Sequence, residues 1–400
     1  MEEQTLAIFI AIFSAFCGSA LAKAVRIPRV VGQIFAGLLL GYFAISSGFL
    51  TRSGITSIGV IADIGIILMF FFVGLELDMS KLKKSFSMSA SIALFDTIVP
   101  FILGFLAARF AFGLSLVQST VVGICISVCA EAVALDILEE LKLLKTKLSA
   151  LIISAATLDD IPELILLGCM VVLFGVHIEK TSPATLAAGL IFFGIFLIAF
   201  RFIVIPVLLA LVEKDKSAVS LFSGALILVA IMAYVSDILP VGTIVGSLTA
   251  GILVRQTLLS GKKKRPWEEH EIAKGMHIIA FGLFIPVFFV SVGLNTSIGI
   301  AHANPFQIIV FLLLCIVGTI AGTVLGVVIA KGKARDGLSL GWAFIPKGDT
   351  ELVIATIAFK SGLIGEGLYS VIVVVAVLST LIATMVFRKV AMNWKSRARF

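Results

Sequence analysis

The chain reads as a succession of long apolar runs, each interrupted by glycine, proline, asparagine or a small cluster of charges. In order they fall near residues 5–22, 27–48, 55–76, 88–112, 114–138, 148–175, 185–212, 217–237, 240–256, 273–293, 305–330, 337–360 and 363–387. A helix that crosses a bilayer needs about 20 apolar residues, and each run approaches that length. The pattern predicts an all-α polytopic membrane protein with about thirteen transmembrane helices, numbered in chain order as spans 1 to 13.

Composition sharpens the picture. The chain is 60% hydrophobic and 14% charged, with a mean hydropathy of +1.17, whereas soluble domains carry about a quarter charged residues. A soluble enzyme, a nucleic-acid reader and any sizeable extramembrane domain are excluded. The N-terminal Met1-Glu2-Glu3-Gln4 lacks the basic segment of a cleavable signal peptide, so span 1 is expected to be retained. Cys17, Cys125, Cys129, Cys169 and Cys315 all lie inside apolar runs and read as small core residues rather than a disulfide framework or metal cluster. The four histidines show no zinc-ligand spacing. No cofactor is implied.

Of the 31 Lys and Arg, 25 fall in the segments after odd-numbered spans and in the C-terminal tail, among them Lys23, Arg26, Arg29 and the Lys262–Arg265 cluster. Segments after even-numbered spans hold Arg52, Arg109, Lys180 and Lys360, while Arg201 and Lys347 lie within spans. The positive-inside rule then puts the N-terminus outside and the C-terminus in the cytoplasm. The net charge of +7 is accounted for by topology and needs no nucleic-acid partner.

The two halves repeat. Val31-Gly32-Gln33-Ile34-Phe35-Ala36-Gly37 with Gly41 matches Val241-Gly242-Thr243-Ile244-Val245-Gly246-Ser247 with Gly251, and Phe70-Phe71-Phe72-Val73-Gly74-Leu75 matches Phe289-Val290-Ser291-Val292-Gly293-Leu294. These pairs lie on spans 2 and 9, then 3 and 10. An odd step of seven spans makes the repeat inverted, the signature of secondary transporters. The expected organisation is one transmembrane domain over 1–400, with a first repeat over 1–176, a linker over 177–216, a second repeat over 217–387 and a short cytoplasmic tail over 388–400.

Chemistry concentrates in three runs. Span 6 carries Asp159 and Asp160 near its midpoint, with Thr157 just before and Glu163 one turn on. Span 5 carries Cys129 and Glu131, and span 12 reads Pro346-Lys347-Gly348-Asp349-Thr350-Glu351. A charge at mid-membrane costs about 2.5–3.5 kcal/mol, so these seven would cost roughly 20 kcal/mol against lipid. They must face one another across a hydrated cavity. Pro346 and Gly348 mark span 12 as locally unwound, which leaves carbonyls and helix ends for ions. Adjacent helical residues lie about 100° apart, so Asp159 and Asp160 reach one cavity. Two such carboxylates resist ionising together, and the pair holds either a proton or a cation.

Other polar positions carry less. Asp96 in span 4 reads equally as a structural hydrogen-bonder. Arg201 and Asp237 lie near span ends and snorkel. Gly318, Gly322 and Gly326 form a double GxxxG suited to close helix packing. Lys347 needs a buried acidic partner, for which Glu131, Glu351 and Asp349 are the candidates.

Together these features resemble the monovalent cation:proton antiporters in the branch with paired aspartates. Phe71-Phe72-Val73-Gly74-Leu75-Glu76 is similar to the family's span 3 ending, Pro286 to Gly293 to its span 10, and Pro346-Lys347-Gly348-Asp349 to its Pro-Arg-Gly-Glu segment. The resemblance covers nearly the whole chain and matches a Kef-type membrane domain without its nucleotide-binding domain. It implies secondary exchange of Na+, or K+ or Li+, for H+ by alternating access. It also implies crossed, broken spans 5 and 12, a mobile six-helix core and a homodimer in the plasma membrane. Asp160 would be the principal carrier beside Asp159, with Thr157, Glu131, Cys129 and Glu163 in support. Lys347, Asp349 and Glu351 would balance charge at the crossing. The chain departs from the electrogenic members in having no lysine on span 11 before Lys331, and its site is more acidic.

Two alternatives stand beside this reading. A cation channel or sodium-coupled symporter of related fold would need an organic-solute pocket in the symporter case, and no polar or aromatic lining for one is evident. An intramembrane aspartyl protease resembles a family that needs Tyr-Asp and Gly-x-Gly-Asp, where this chain has Leu158-Asp159 and Lys347-Gly348-Asp349.

The charge asymmetry yields a direct test. A cysteine introduced at His302 is expected to react with an impermeant thiol reagent from outside the cell, and one at Lys264 is not. The reverse labelling pattern would refute the orientation.

Overall fold

The computed structural model of the chain describes residues 2–47, 50–76, 88–130, 132–143, 146, 149–156, 158–159, 183–205, 207, 218–239, 242–257 and 271–397. The helices are α1 (Glu2–Ala24), α2 (Arg29–Ser47), α3 (Arg52–Glu76), α4 (Met88–Leu106), α5 (Leu116–Ser127) and α6 (Ala132–Glu140). Then come α7 (149–156), α8 (Pro183–Ala199), α9 (Ala218–Ile238), α10 (Thr243–Thr257), α11 (Glu271–Ile279) and α12 (Ile285–Gly299). The last are α13 (Pro305–Ile329), α14 (Ala334–Phe344), α15 (Thr350–Lys360) and α16 (Glu366–Arg397). Among the described residues, seven helices are long and apolar enough to cross a bilayer. The protein is an all-α, multi-pass membrane protein.

Two of the apolar runs each fold as a pair of helices. Span 5 is α5 and α6, separated by extended residues 128–130, and span 12 is α14 and α15, separated by 345–349. Span 13 is longer than its apolar run, because α16 continues through Arg388 and Lys389 to Arg397.

Several helices turn large apolar side chains outward, although others, such as Phe70, Phe71 and Phe288, are fully buried. On α13 the outward positions are Phe306, Ile309, Leu313 and Val317, while Gly318, Thr319, Gly322, Thr323 and Gly326 are buried. On α1, Phe9, Phe13 and Phe16 are exposed while Ala7, Ala11 and Ala15 are buried. Lipid tails are as apolar as leucine, so burying leucine gains little there. Helices instead associate where small residues let backbones approach.

The chain divides into two compact units. The first comprises Met1–Ile12, Thr51–Asp78 and Gly168–Phe288, and the second Phe13–Leu50, Met79–Leu167 and Phe289–Phe400. In the first, a Cβ on Gly74 would strike the carbonyl of Leu248, and one on Gly251 that of Phe71, so α3 and α10 touch backbone to backbone. In the second, a Cβ on Gly293 would strike the carbonyl of Ile34, and one on Gly41 the Ser297 hydroxyl, which sets α2 against α12. The double GxxxG of α13 packs on α4. There Gly322 faces the Phe95 carbonyl and the Asp96 Cα, and Gly326 faces Ser91 and Ile92. A separate apolar cluster, including Ile137, Ile152, Leu340, Phe344 and Phe387, holds α6, α7, α14 and α16 of the second unit together.

Three helices of this unit end alike. Arg26, Lys142 and Lys331 take positive φ at the ends of α1, α6 and α13. The following amide of each reaches back to a carbonyl five residues earlier, for example Ile27 N to Ala22 O at 2.9 Å. This is the Schellman closure, and a basic residue there also complements the negative end of the helix dipole.

The glycine contacts predict a contrast. Gly322→Ala places a methyl against backbone and is expected to lower stability by about 1–3 kcal/mol. Gly194→Ala on α8, where an added Cβ meets nothing within 4 Å, is expected to be neutral or slightly stabilising. Thermal unfolding in detergent distinguishes the two, and equal melting temperatures would contradict the packing argument.

Candidate functional site

The site forms where the two broken helices of the second unit meet. α5 ends at Ser127 because Val128 leaves helical geometry, with ψ 137°. α14 ends before Pro346, which has no N–H to continue a helix. The two extended links then bond each other, Ala130 N donating to Pro346 O at 2.8 Å. Inside a bilayer this exchange matters, since no water is available to satisfy either group.

Lys347 is the centre of the crossing and is 2% exposed. Its amide donates to Thr380 Oγ1 on α16 at 2.8 Å, and its carbonyl accepts from the same hydroxyl. Its ammonium donates to Ser127 O at 3.1 Å and to Cys129 Sγ at 3.3 Å. The cation therefore sits on the C-terminal carbonyl end of α5, where the helix dipole is negative. Asp349 does the converse at α15, its carboxylate capping the N-terminus by accepting from Thr350 N at 2.8 Å.

The carboxylates gather beside the lysine. Asp96 Oδ1 accepts from Thr323 Oγ1 at 2.9 Å, and Oδ2 from Cys129 Sγ at 3.8 Å. Asp159 accepts from Thr97 Oγ1 at 2.6 Å. Ligand atoms of Asp96, Cys129 and Asp159 all lie within 4.8 Å of one another, and all three residues are buried. Two carboxylates this close, out of water, repel each other, and a proton or a small cation between them relieves the repulsion. The carboxylate and hydroxyl oxygens suit a hard cation, whereas the thiol of Cys129 is a soft and poorer donor.

Of the residues singled out from sequence, Asp159, Cys129, Lys347 and Asp349 come together here. Glu351 is fully buried in the first turn of α15. Neither of its carboxylate oxygens has a hydrogen-bond partner among the described residues, and it forms no ion pair with Lys347. The link at Gly348 breaks the four-residue spacing that would join them on one helix face. Asp160, Thr157, Glu131 and Glu163 lie outside the described residues. Asp96, which the sequence left equally readable as a structural hydrogen-bonder, joins the cluster, and Thr97, Thr323, Ser127 and Thr380 were not singled out. The available signal for Asp96 was a lone acid in the middle of an apolar helix, and for Thr323 its place inside the double GxxxG.

The family model described as the transmembrane sodium/hydrogen exchanger matches residues 11–393 of this chain. The Na+/H+ antiporter of Enterococcus hirae is 28% identical, over 93% of this chain and 94% of that one. The Na+/H+-K+ antiporter GerN of Bacillus cereus is 27% identical, over 89% and 88%. Among solved structures, the fold is similar to that of the sodium proton antiporter MjNhaP1 from Methanocaldococcus jannaschii. That match has a TM-score of 0.63 and 15% identity, and covers 97% of each chain.

The Thr380 clamp can be tested. Thr380→Val leaves both the buried amide and carbonyl of Lys347 without this partner, and is expected to cost about 1–3 kcal/mol. Thr384→Val removes a hydroxyl that among the described residues bonds only the carbonyl one turn earlier, at 2.7 Å, and should cost less. Comparable losses in detergent melting would argue against the clamp.

Proposed function

Starting from the membership of this chain in the transmembrane sodium/hydrogen exchanger family, we propose that it is a secondary antiporter exchanging Na+ for H+ across the membrane. The observation that carries this reading is the buried Asp96–Cys129–Asp159 cluster beside the crossing of two broken helices. Families of this kind transport rather than catalyse, so the protein is not an enzyme. The cation and the proton compete for the carboxylates of one site, with Asp160 as principal carrier and Asp159 beside it. Thr157, Glu131, Cys129 and Glu163 support that pair. Lys347 and Asp349 neutralise the two helix ends at the crossing, while Glu351 stands in the first turn of α15. K+ and Li+ belong to the same substrate class.

Transport proceeds by alternating access. An inverted repeat is part of the reading, supported by the matched glycines. Spans 2 and 9 match in sequence, as do 3 and 10, and α2 packs on α12 in the second unit as α10 packs on α3 in the first. In this reading the protein lies in the plasma membrane as a homodimer, with its N-terminus outside and its C-terminus in the cytoplasm, as the distribution of Lys and Arg suggests.

The test is ion exchange in proteoliposomes carrying a pH-sensitive dye, across Na+, K+ and Li+. Addition of the transported cation is expected to drive proton movement without any organic solute. For one competing proton the half-saturating Na+ concentration should rise about tenfold per pH unit on the acid side, so activity falls as pH falls. Asp160→Asn should abolish exchange in a protein that still folds. Full exchange by that variant, or half-saturation independent of pH, would sink the assignment.

A further inference from the structure

A second polar cavity lies in the second unit, away from the ion cluster. It has a volume of about 360 Å³ and is bounded by the α1–α2 turn, α6 and α16. Four cations line it, Lys23, Arg26, Arg29 and Arg388, against two carboxylates, Asp136 and Glu140. Glu140 is already committed to Arg388 in an ion pair. Arg29 lies within electrostatic reach of Asp136. Lys23 and Arg26 form no ion pair among the described residues, and both are exposed and line the cavity. Ile27, Val133 and Ile137 supply an apolar wall.

Two further features give the cavity a sign and a consequence. α2 starts at its edge with Pro28 and Arg29 and has no acidic residue in its first turn, so the positive end of that helix adds to the uncompensated cations. On the opposite side Thr384 lines the cavity. Its hydroxyl bonds the Thr380 carbonyl at 2.7 Å, and Thr380 in turn holds the backbone of Lys347. The cavity wall and the ion-site lysine are thus joined along one turn of α16.

We infer that this cavity binds a phosphate-bearing anion, with Lys23 and Arg26 as the primary ligands and Arg29 and Arg388 at its sides. Arginine and lysine present charge-assisted donors to phosphate oxygens, and the volume accommodates a phosphate with a small apolar or glycerol portion against the Ile27–Ile137 wall. An anion here competes with Glu140 for Arg388, and through α16 it adjusts the anchor of Lys347. The same phosphate chemistry comes from two sources, a soluble phosphate ester or the headgroup of an anionic lipid at the end of the membrane-spanning helices.

Binding is read without transport, so its failure is distinct from failure of the antiport assignment. The purified full chain is titrated in detergent with inorganic phosphate and with glycerol 3-phosphate. In parallel it is titrated with mixed micelles of phosphatidylglycerol or phosphatidylcholine, and thermal stability is followed at matched ionic strength in sodium chloride. Saturable stabilisation by the soluble phosphates identifies a soluble ligand, and stabilisation by phosphatidylglycerol alone identifies a lipid headgroup. The decisive variant is Arg26→Gly. Arg26 has φ of 60°, which glycine adopts without strain, so this variant retains or gains stability without ligand. Its apparent affinity for the stabilising anion is expected to fall about tenfold or more. Lys23→Gln, at the exposed end of α1, is expected to weaken binding in the same direction. The proposal is overturned if no phosphate species stabilises the protein beyond chloride, if phosphatidylcholine does so equally, or if Arg26→Gly responds like the parent.

Discussion

A backbone amide in hydrocarbon has only the protein to bond with, and that constraint organises this molecule. Two transmembrane helices are interrupted, and each interruption strips several N–H and C=O groups of intrahelical partners. The break after α5 and the break before α15 are tolerated because each supplies what the other lacks, through the Ala130–Pro346 hydrogen bond. Thr380 fills two of the remaining vacancies at Lys347 with a single hydroxyl. Unsatisfied groups here would each cost several kcal/mol, which is why the crossing is framed by side chains of α16 as well.

The exposed helix ends have consequences beyond hydrogen bonding. They present partial charges of opposite sign in a medium that screens them poorly, and Lys347 and Asp349 answer them with full charges. A cation held on the carbonyl end of α5 also lies against Cys129, and through that thiol against Asp96. The positive charge that stabilises the crossing therefore lies close to carboxylates that would otherwise repel one another. The lysine that compensates the crossing is thus the same one that lies beside the carboxylate cluster.

Close packing completes the arrangement. Glycines at 318, 322 and 326 let α13 approach α4 at the level of the backbone, and this brings Thr323 within hydrogen-bond distance of Asp96. In an aqueous protein the same helices would be driven together by burying leucine and phenylalanine. On α13, Phe306, Ile309, Leu313 and Val317 point outward, and small residues with Thr319 and Thr323 occupy the interface. The polar cavity beside α16 follows the same logic of space, since its charges line a cleft at helix ends where water or headgroups are in reach.

Much of this was legible in one dimension. Hydropathy marked the chain as an all-helical, multi-pass membrane protein because twenty apolar residues in a row have one low-energy destination, and Pro346 with Gly348 announced a break because neither supports a helix interior. The cost of burying charge identified Asp159, Lys347 and Asp349 as residues that must face protein. What the sequence could not decide was which polar residues meet. Asp96 and Thr323 are 227 positions apart, and Lys347 and Cys129 are 218 apart, and no local pattern encodes such distances. Asp96 read as a solitary acid until α13 packed on α4, and Glu351, one of three candidate partners for Lys347, lies within electrostatic reach of the ammonium without forming an ion pair with it. Local physics determines which groups cannot be left in lipid; only the packing of helices, set by the close approach of glycine to backbone, decides what satisfies them.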